Sequence, residues 1–173
     1  MTGADNQQER LIEIGWVLGF VDGEGCFSLG LVRQAGGVNR AAYRSGYQIF
    51  HEFVVTQGAR SVGCLYRLQQ FFGVGGVIEN RRLDNHRENV HRYAVRRRDH
   101  LTGVVIPFFQ EYPLRSAKQE DFEKFAVCVA MMSSQQHLTA SGFADIVGIV
   151  ETMNRRKPRT GTMRILRGHT PDA

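Results

Sequence analysis

The sequence predicts an α+β fold of the order αββαββα, with one antiparallel four-stranded sheet, helices on one face and the other face open. Three observations carry this. An apolar run from Leu11 to Val21 ends at two carboxylates, Asp22 and Glu24. Two pairs of segments then alternate apolar and polar residues, as half-buried strands do. Between and after these pairs lie stretches whose apolar residues recur at helical spacing.

In order, residues 1–8 are polar and frayed, and a helix runs from about Gln8 to Val21. Cys26–Val32 alternates Phe27, Leu29 and Leu31 against Ser28 and Gly30, which is a strand. Ala35–Ser45, with Gly36-Gly37, is a long hairpin loop. Tyr47–Gln57 is the second strand, with Tyr47, Ile49, Phe53 and Val55 on one face and Gln48, Glu52 and Thr56 on the other. Ala59–Phe72 is a helix through Val62, Leu65, Leu68 and Phe72, and Gly73 is its C-cap. Val77–Leu83 and Val90–Arg98 form a second hairpin. Asp99 is placed as the N-cap of a helix to about Phe109, which Pro107 kinks or shortens. After the Tyr112-Pro113-Leu114 break, Lys118–Met132 and Ser141–Arg155 are two more helices. Residues 1–158 read as a single domain and 159–173 as a basic, disordered tail. There is no internal repeat.

The composition bounds the function. The 173 residues suffice for one core, and 42% hydrophobic with 23% charged residues is ordinary for a globular chain. The net charge is +5, carried by 19 Arg against 3 Lys. Arg suits bidentate contact with phosphates and guanine edges, although an Arg-rich codon usage gives the same bias. Cys26, Cys64 and Cys128 are odd in number without CxxC spacing, so they read as reduced, in an intracellular compartment. Leu11–Val21 is too short to span a membrane and lacks signal-peptide flanks.

Gly15, Gly19 and Gly23 recur every four residues and form one stripe on the first helix. Each costs a helix about 1 kcal/mol relative to Ala, so the stripe implies close approach of a second helix. Asp22 and Glu24 sit at the negative end of the macrodipole, where carboxylates are disfavoured by roughly 0.3–1 kcal/mol each. Acids placed against their local field imply a cation. The open sheet face adds Arg81, Arg82, Arg87, Arg92, Arg96, Arg97 and Arg98 within one hairpin. Arg92 and Arg96 share a strand face, and strands can enter the major groove. Charge that discourages edge pairing is the competing explanation for that hairpin.

Val17-Leu18-Gly19-Phe20-Val21-Asp22-Gly23-Glu24-Gly25 closely resembles the signature of the LAGLIDADG homing endonucleases. It departs in Leu18, where the family's name has Ala, and in Glu24, a common variant at the second acid. Val55-Thr56-Gln57 and Gly73-Val74-Gly75-Gly76-Val77 extend the likeness. The resemblance implies a saddle-shaped sheet with DNA on its open face, and a homodimer packed through Gly15, Leu18, Gly19, Asp22 and Gly23. It implies double-strand cleavage of a long, near-palindromic DNA target, leaving 3′ overhangs and requiring Mg2+; Mn2+ or Ca2+ can occupy the same site. Ligands are sought among Glu24, Gly23 and Asp22, with Glu24 first and Asp22 either a ligand or a structural bond to the partner helix terminus. Lys118 is the basic residue near the water or phosphate, with Arg115 in reserve, and Gln57 orders the active-site water. The DNA-facing positions implied are Ser28, Gly30, Val32 and Arg33, Arg40 and Arg44 in the loop, and Gln48, Phe50, Glu52, Val54 and Thr56. On the second hairpin they are Ile78, Asn80, Arg82, Arg92, Ala94 and Arg96. The apolar Phe50 and Val54 must then touch thymine methyls or be covered.

Two other functions use the same scaffold. An RNA maturase would assist splicing of its intron, with RNA as its partner. A decayed scaffold would act as a DNA-binding regulator, although decay usually removes the acid that Glu24 retains. The chain neither begins with Cys or Ser nor ends in His-Asn, so intron-encoded or freestanding origin is favoured over an intein. Neither a membrane nor a small-molecule substrate is expected. His86 and His91 lack the spacing of a ββα-metal nuclease.

Overall fold

In the computed structural model, residues 3–33, 46–80 and 89–153 are described. The elements are helix α1 (Gly3–Glu24), strands β1 (Gly25–Arg33) and β2 (Tyr47–Gly58), and helix α2 (Val62–Phe72) after a 3₁₀ turn at Ala59–Ser61. Strands β3 (Gly76–Asn80) and β4 (Val90–Val95) follow, then short helices α3 (Arg98–His100) and α4 (Ile106–Glu111), and the longer α5 (Lys118–Ser133) and α6 (Ala140–Thr152). The strands form one sheet in the order β1-β2-β4-β3, the expected pair of hairpins. β4 is central and runs antiparallel to both β2 and β3. No helix among the described residues is long and apolar enough to cross a membrane.

Contacts group the chain into two compact units, Met1–Phe27 with Glu52–Phe122, and Ser28–His51 with Glu123–Ala173. The first unit has an aromatic core. Phe53 of β2 packs within 6.2 Å, ring to ring, of Phe27, Phe72, Tyr93 and Phe109. Phe72 comes from α2 and Phe109 from α4, so these helices cover the face that bears Phe53, Val55, Tyr93 and Val95, all fully buried. Tyr93 keeps its hydroxyl satisfied by donating to the Val74 carbonyl at 2.8 Å, as a buried phenol must. The second unit buries Leu29 and Ile49 from its strands and Phe125, Val129, Phe143, Ile146 and Val147 from its helices.

Two glycines are dictated by geometry. Gly73 ends α2 at φ 67°, the left-handed conformation in which a Cβ is penalised. At Gly25, where α1 gives way to β1, a Cβ would stand 2.6 Å from Val21 Cγ1 and 2.7 Å from the Val21 carbonyl. The helix can therefore pass directly into the strand only with glycine there.

The structure corrects three local expectations. Helix α1 extends to Glu24 rather than ending at Val21, so both acids lie in its last turn. Asp99 is not the N-cap: α3 starts at Arg98, and Asp99 pairs with the Arg97 guanidinium instead. Pro107 does not break the chain's helical path. A π-helical turn at Leu101–Val105 leads directly into α4, in which Pro107 is the second residue. The tail from 154 onward and the hairpin tip 81–88 lie outside the described residues.

Candidate active site at the end of the first helix

Helix α1 buries Ile14, Val17 and Val21 and shows its other side to solvent. Leu11 and Ile12 are 59% and 64% exposed, and Gly15, Gly19 and Gly23 are exposed beside them. A Cβ added at any of the three glycines would meet nothing within 4 Å. Nothing among the described residues therefore requires glycine at these places, although each weakens the helix by about 1 kcal/mol. Along the flank of the same helix Trp16 stacks on Phe20, and Arg67 of α2 lies 4.8 Å over the Trp16 ring while pairing with Glu13.

At the helix's C-terminal end the segment before α5 is clamped to the last turn from both sides. Asp22 Oδ2 accepts from the Arg115 N–H at 2.9 Å, and its Oδ1 accepts from the Ser116 N–H at 3.1 Å and the Ser116 hydroxyl at 2.7 Å. In return, the Lys118 ammonium donates to the carbonyls of Val21, Asp22 and Gly23 at 3.2, 2.7 and 2.8 Å. A cation on the last carbonyls is what the negative end of a helix dipole favours. Partial burial pushes the Asp22 carboxyl upward, but the bonds from Arg115 and Ser116 and the Lys118 charge outweigh it. The net shift is below the ordinary value.

The geometry gives these residues roles within the chain. Asp22 bonds to the Arg115–Ser116 segment. The Gly23 carbonyl accepts from Lys118. Lys118 itself spends its three donors on the helix end, and Arg115 contributes its backbone N–H rather than its charge. Glu24, exposed in the last turn, makes no side-chain hydrogen bond or ion pair with any described residue. Gln57 is near the end of β2, the end that neighbours the start of β1 and so lies toward Glu24. Its pairing residue is His91. Among the described residues no cluster of three His, Cys, Asp or Glu side chains is built to hold a metal. Of the two acids in the last turn of α1, Asp22 is engaged and Glu24 is not.

On the open sheet face Val32 and Ile78 are 48% and 47% exposed. Arg33, Gln48, Thr56 and Asn80 are exposed as well, while Ser28, Gly30 and Phe50 are partly covered. Glu52 departs from expectation at 5% exposed, while Val54, at 8%, is covered, one of the two outcomes open to its apolar side chain. Glu52 is tied to Arg92 and Arg96, a pairing whose signal was the cross-strand register rather than any local motif. Ala94 is likewise buried, at 7%. Arg40, Arg44 and Arg82 lie outside the described residues.

Comparison with known proteins gives this geometry a context. A family model described as LAGLIDADG endonuclease matches residues 17–129. A protein of Podospora anserina encoded in ND4 intron 1 is 31% identical over 126 residues, covering 72% of this chain and 25% of its own length. The chain spans about a quarter of the length of several such curated relatives. Among solved structures, the homing endonuclease I-TnaI is similar at TM-score 0.75 and 35% identity, over 90% of this chain and 96% of that one. I-SmaMI bound to uncleaved DNA target in the presence of calcium ions is similar at TM-score 0.70 and 27% identity, over 82% and 44%.

Proposed function

The chain belongs to the LAGLIDADG endonuclease family, and from that premise we propose that it works as one half of a homodimeric, metal-dependent homing endonuclease cutting both strands of a DNA target. The observation that carries the reading is the contrast between Asp22 and Glu24. Asp22 is fully engaged in holding α1 to the segment before α5. Glu24, two residues later, is left exposed and unmatched at the negative end of a helix.

The open glycine side of α1 supplies the reason for a dimer. Glycines that no Cβ clash demands are explained by a second copy of the helix lying close against them. Two copies then bring two Glu24 carboxylates together. Unliganded, such a pair is costly, and a divalent cation relieves it. The chain spans nearly all of I-TnaI but under half of I-SmaMI, which supports a unit that acts as one of two.

Carboxylates, backbone oxygens and waters are the donor set that Mg2+ takes, so Glu24 fits as its ligand, with Mn2+ or Ca2+ as substitutes. A bound metal would activate water and neutralise charge on the phosphate. The chain's own groups do the rest. The Lys118–Asp22 clamp fixes the direction in which Glu24 projects. Gln57, at the same end of the sheet, orders the attacking water. In the first unit Thr56, Ile78, Asn80, Arg92 and Arg96 are the residues toward the groove, and in the second unit Ser28, Gly30, Val32 and Gln48 are.

Glu24→Gln tests this. Shape and hydrogen bonding are kept, and the charge is removed. Cleavage of target DNA in magnesium is expected to fall below detection, while the dimer and DNA affinity persist. A Glu24→Gln protein that cuts at the wild-type rate removes Glu24 from the chemistry.

A further inference from the structure

The helix-covered face of the sheet carries one polar row beyond its aromatic core. β2 and β4 set Phe53 opposite Val95 and Val55 opposite Tyr93, and the next row on the same face sets Gln57 opposite His91. Side chains two residues apart share a face of a strand, so Gln57 and His91 continue the core side toward the end of the sheet nearest Glu24. β3 adds Glu79 opposite His91, and Glu79 Oε1 accepts from the Asn89 side chain at 2.7 Å. The two residues between these ends differ from it. His91 Nδ1 is buried and has no hydrogen-bond partner among the described residues. The Gln57 side chain, partly covered, bonds to no described residue.

A buried polar atom without a partner costs the fold stability, and native structures hold few of them. An apolar side chain at position 91 would avoid that cost, so packing does not account for the histidine. Directly opposed residues of an antiparallel pair have Cβ atoms roughly 4.5–5.5 Å apart, which a glutamine amide spans by turning toward its neighbour. In a neutral ring protonated at Nε2, Nδ1 is an acceptor only. It takes a hydrogen from an amide NH2 and repels an amide oxygen. A bond between them therefore decides which end of the Gln57 amide faces the ring and which faces the acid. Catalytic hydrogen bonds commonly close only when substrate is held, which fits a pair that stands opposed and unjoined in the chain alone.

The geometry points to His91 as a positioning residue for Gln57. Nδ1 holds the amide NH2 and so presents Oε1 to a hydrogen of the attacking water, leaving the water's lone pair for phosphorus. With the amide reversed, Gln57 would offer that water a donor and compete for the same lone pair. This rests on the reading of Gln57 as the residue that orders the water.

The test uses the full chain and a duplex recovered by cleavage selection from a randomised pool in magnesium. Single-turnover rate, DNA affinity in EDTA and Tm are measured for wild type, His91→Leu, His91→Asn, Gln57→Ala and the double variant of His91→Leu with Gln57→Ala. His91→Leu fills the space without an acceptor. It is expected to slow cleavage about 10- to 100-fold at unchanged affinity, with Tm unchanged or raised because an orphaned acceptor is gone. His91→Asn sets an acceptor oxygen in the place of Nδ1 and is expected to restore most of the rate. The double variant is expected to cut no more slowly than Gln57→Ala. If His91→Leu cuts at the wild-type rate while Gln57→Ala is slow, the positioning role is overturned and Gln57 stays in the chemistry. If Gln57→Ala itself cuts at the wild-type rate, or the pool yields no cleaved duplex, the underlying reading fails and the proposal falls with it. A lowered Tm with slow cleavage that His91→Asn does not rescue makes His91 merely structural and also overturns the proposal. Should His91→Leu not fold, the ring nitrogens of wild type and Gln57→Ala are compared by 15N NMR with DNA and calcium bound. An Nδ1 signal that moves to its unbonded value in Gln57→Ala supports the proposal, and one that does not move overturns it.

Discussion

Replacing Asp22 with Asn separates a structural acid from a catalytic one. Three donors converge on the Asp22 carboxylate, from the Arg115 N–H and from the Ser116 N–H and hydroxyl. An Asn keeps one oxygen for the two Ser116 donors but turns an NH2 group toward the Arg115 N–H, which is then left without its acceptor. An orphaned donor costs about 1–3 kcal/mol. The two surviving bonds lose their ionic character, and charge-assisted bonds are roughly twice as strong as neutral ones. Asp22 is only partly buried, so water replaces part of each, and the low end of these ranges applies. The expected loss is about 2 kcal/mol. With a urea m-value near 2 kcal/mol/M, the midpoint falls by about 1 M.

The pH dependence gives a second readout. The folded-state carboxyl lies below its ordinary 3.8. A depressed carboxyl contributes its stability fully above the unfolded pKa and loses it as pH falls through the folded value. The gap between wild type and Asp22→Asn is therefore expected to be constant near neutrality and to close below pH 3.8. Urea titrations at neutral pH and in acid measure it. A difference under about 0.5 kcal/mol at neutral pH, combined with lost cleavage, would refute the clamp and make Asp22 a metal ligand.

Other outcomes follow from the same geometry. Gly19→Leu is expected to leave a folded chain, since a Cβ there meets nothing within 4 Å, and to shift sedimentation from dimer to monomer; a variant that stays dimeric puts the partner helix elsewhere. Lys118→Met removes the donor from three terminal carbonyls and should lower thermal stability as well as cleavage, whereas a purely chemical lysine would change the rate alone. Burial pushes the Cys128 thiol up to about 11, while Cys26 is exposed. A thiol reagent at pH 8 should therefore label Cys26 in the native protein and reach Cys128 only on unfolding. Splicing assistance by a maturase would be indifferent to Glu24→Gln, so an assay of both reactions on that variant distinguishes the two functions.

The sequence by itself determined the order of elements, because periodicity is local. Phe27, Leu29 and Leu31 alternate, Leu65, Leu68 and Phe72 recur in helical register, and Gly73 stops a helix whatever surrounds it. It also marked the acidic helix end and the glycine side, since glycine inside a helix is unfavourable on its own account. What it left open were relations between groups far apart in the chain. Asp22 and Ser116 are 94 residues apart, and Glu52 and Arg96 are 44 apart. No local pattern says that a lysine near a proline break will cap the first helix, or that a polar strand residue will be buried under two arginines. Those roles were decided by the tertiary structure, for a physical reason. A carboxylate becomes a clamp or a buried ion pair according to which donors reach it, and only folding brings the donors within reach.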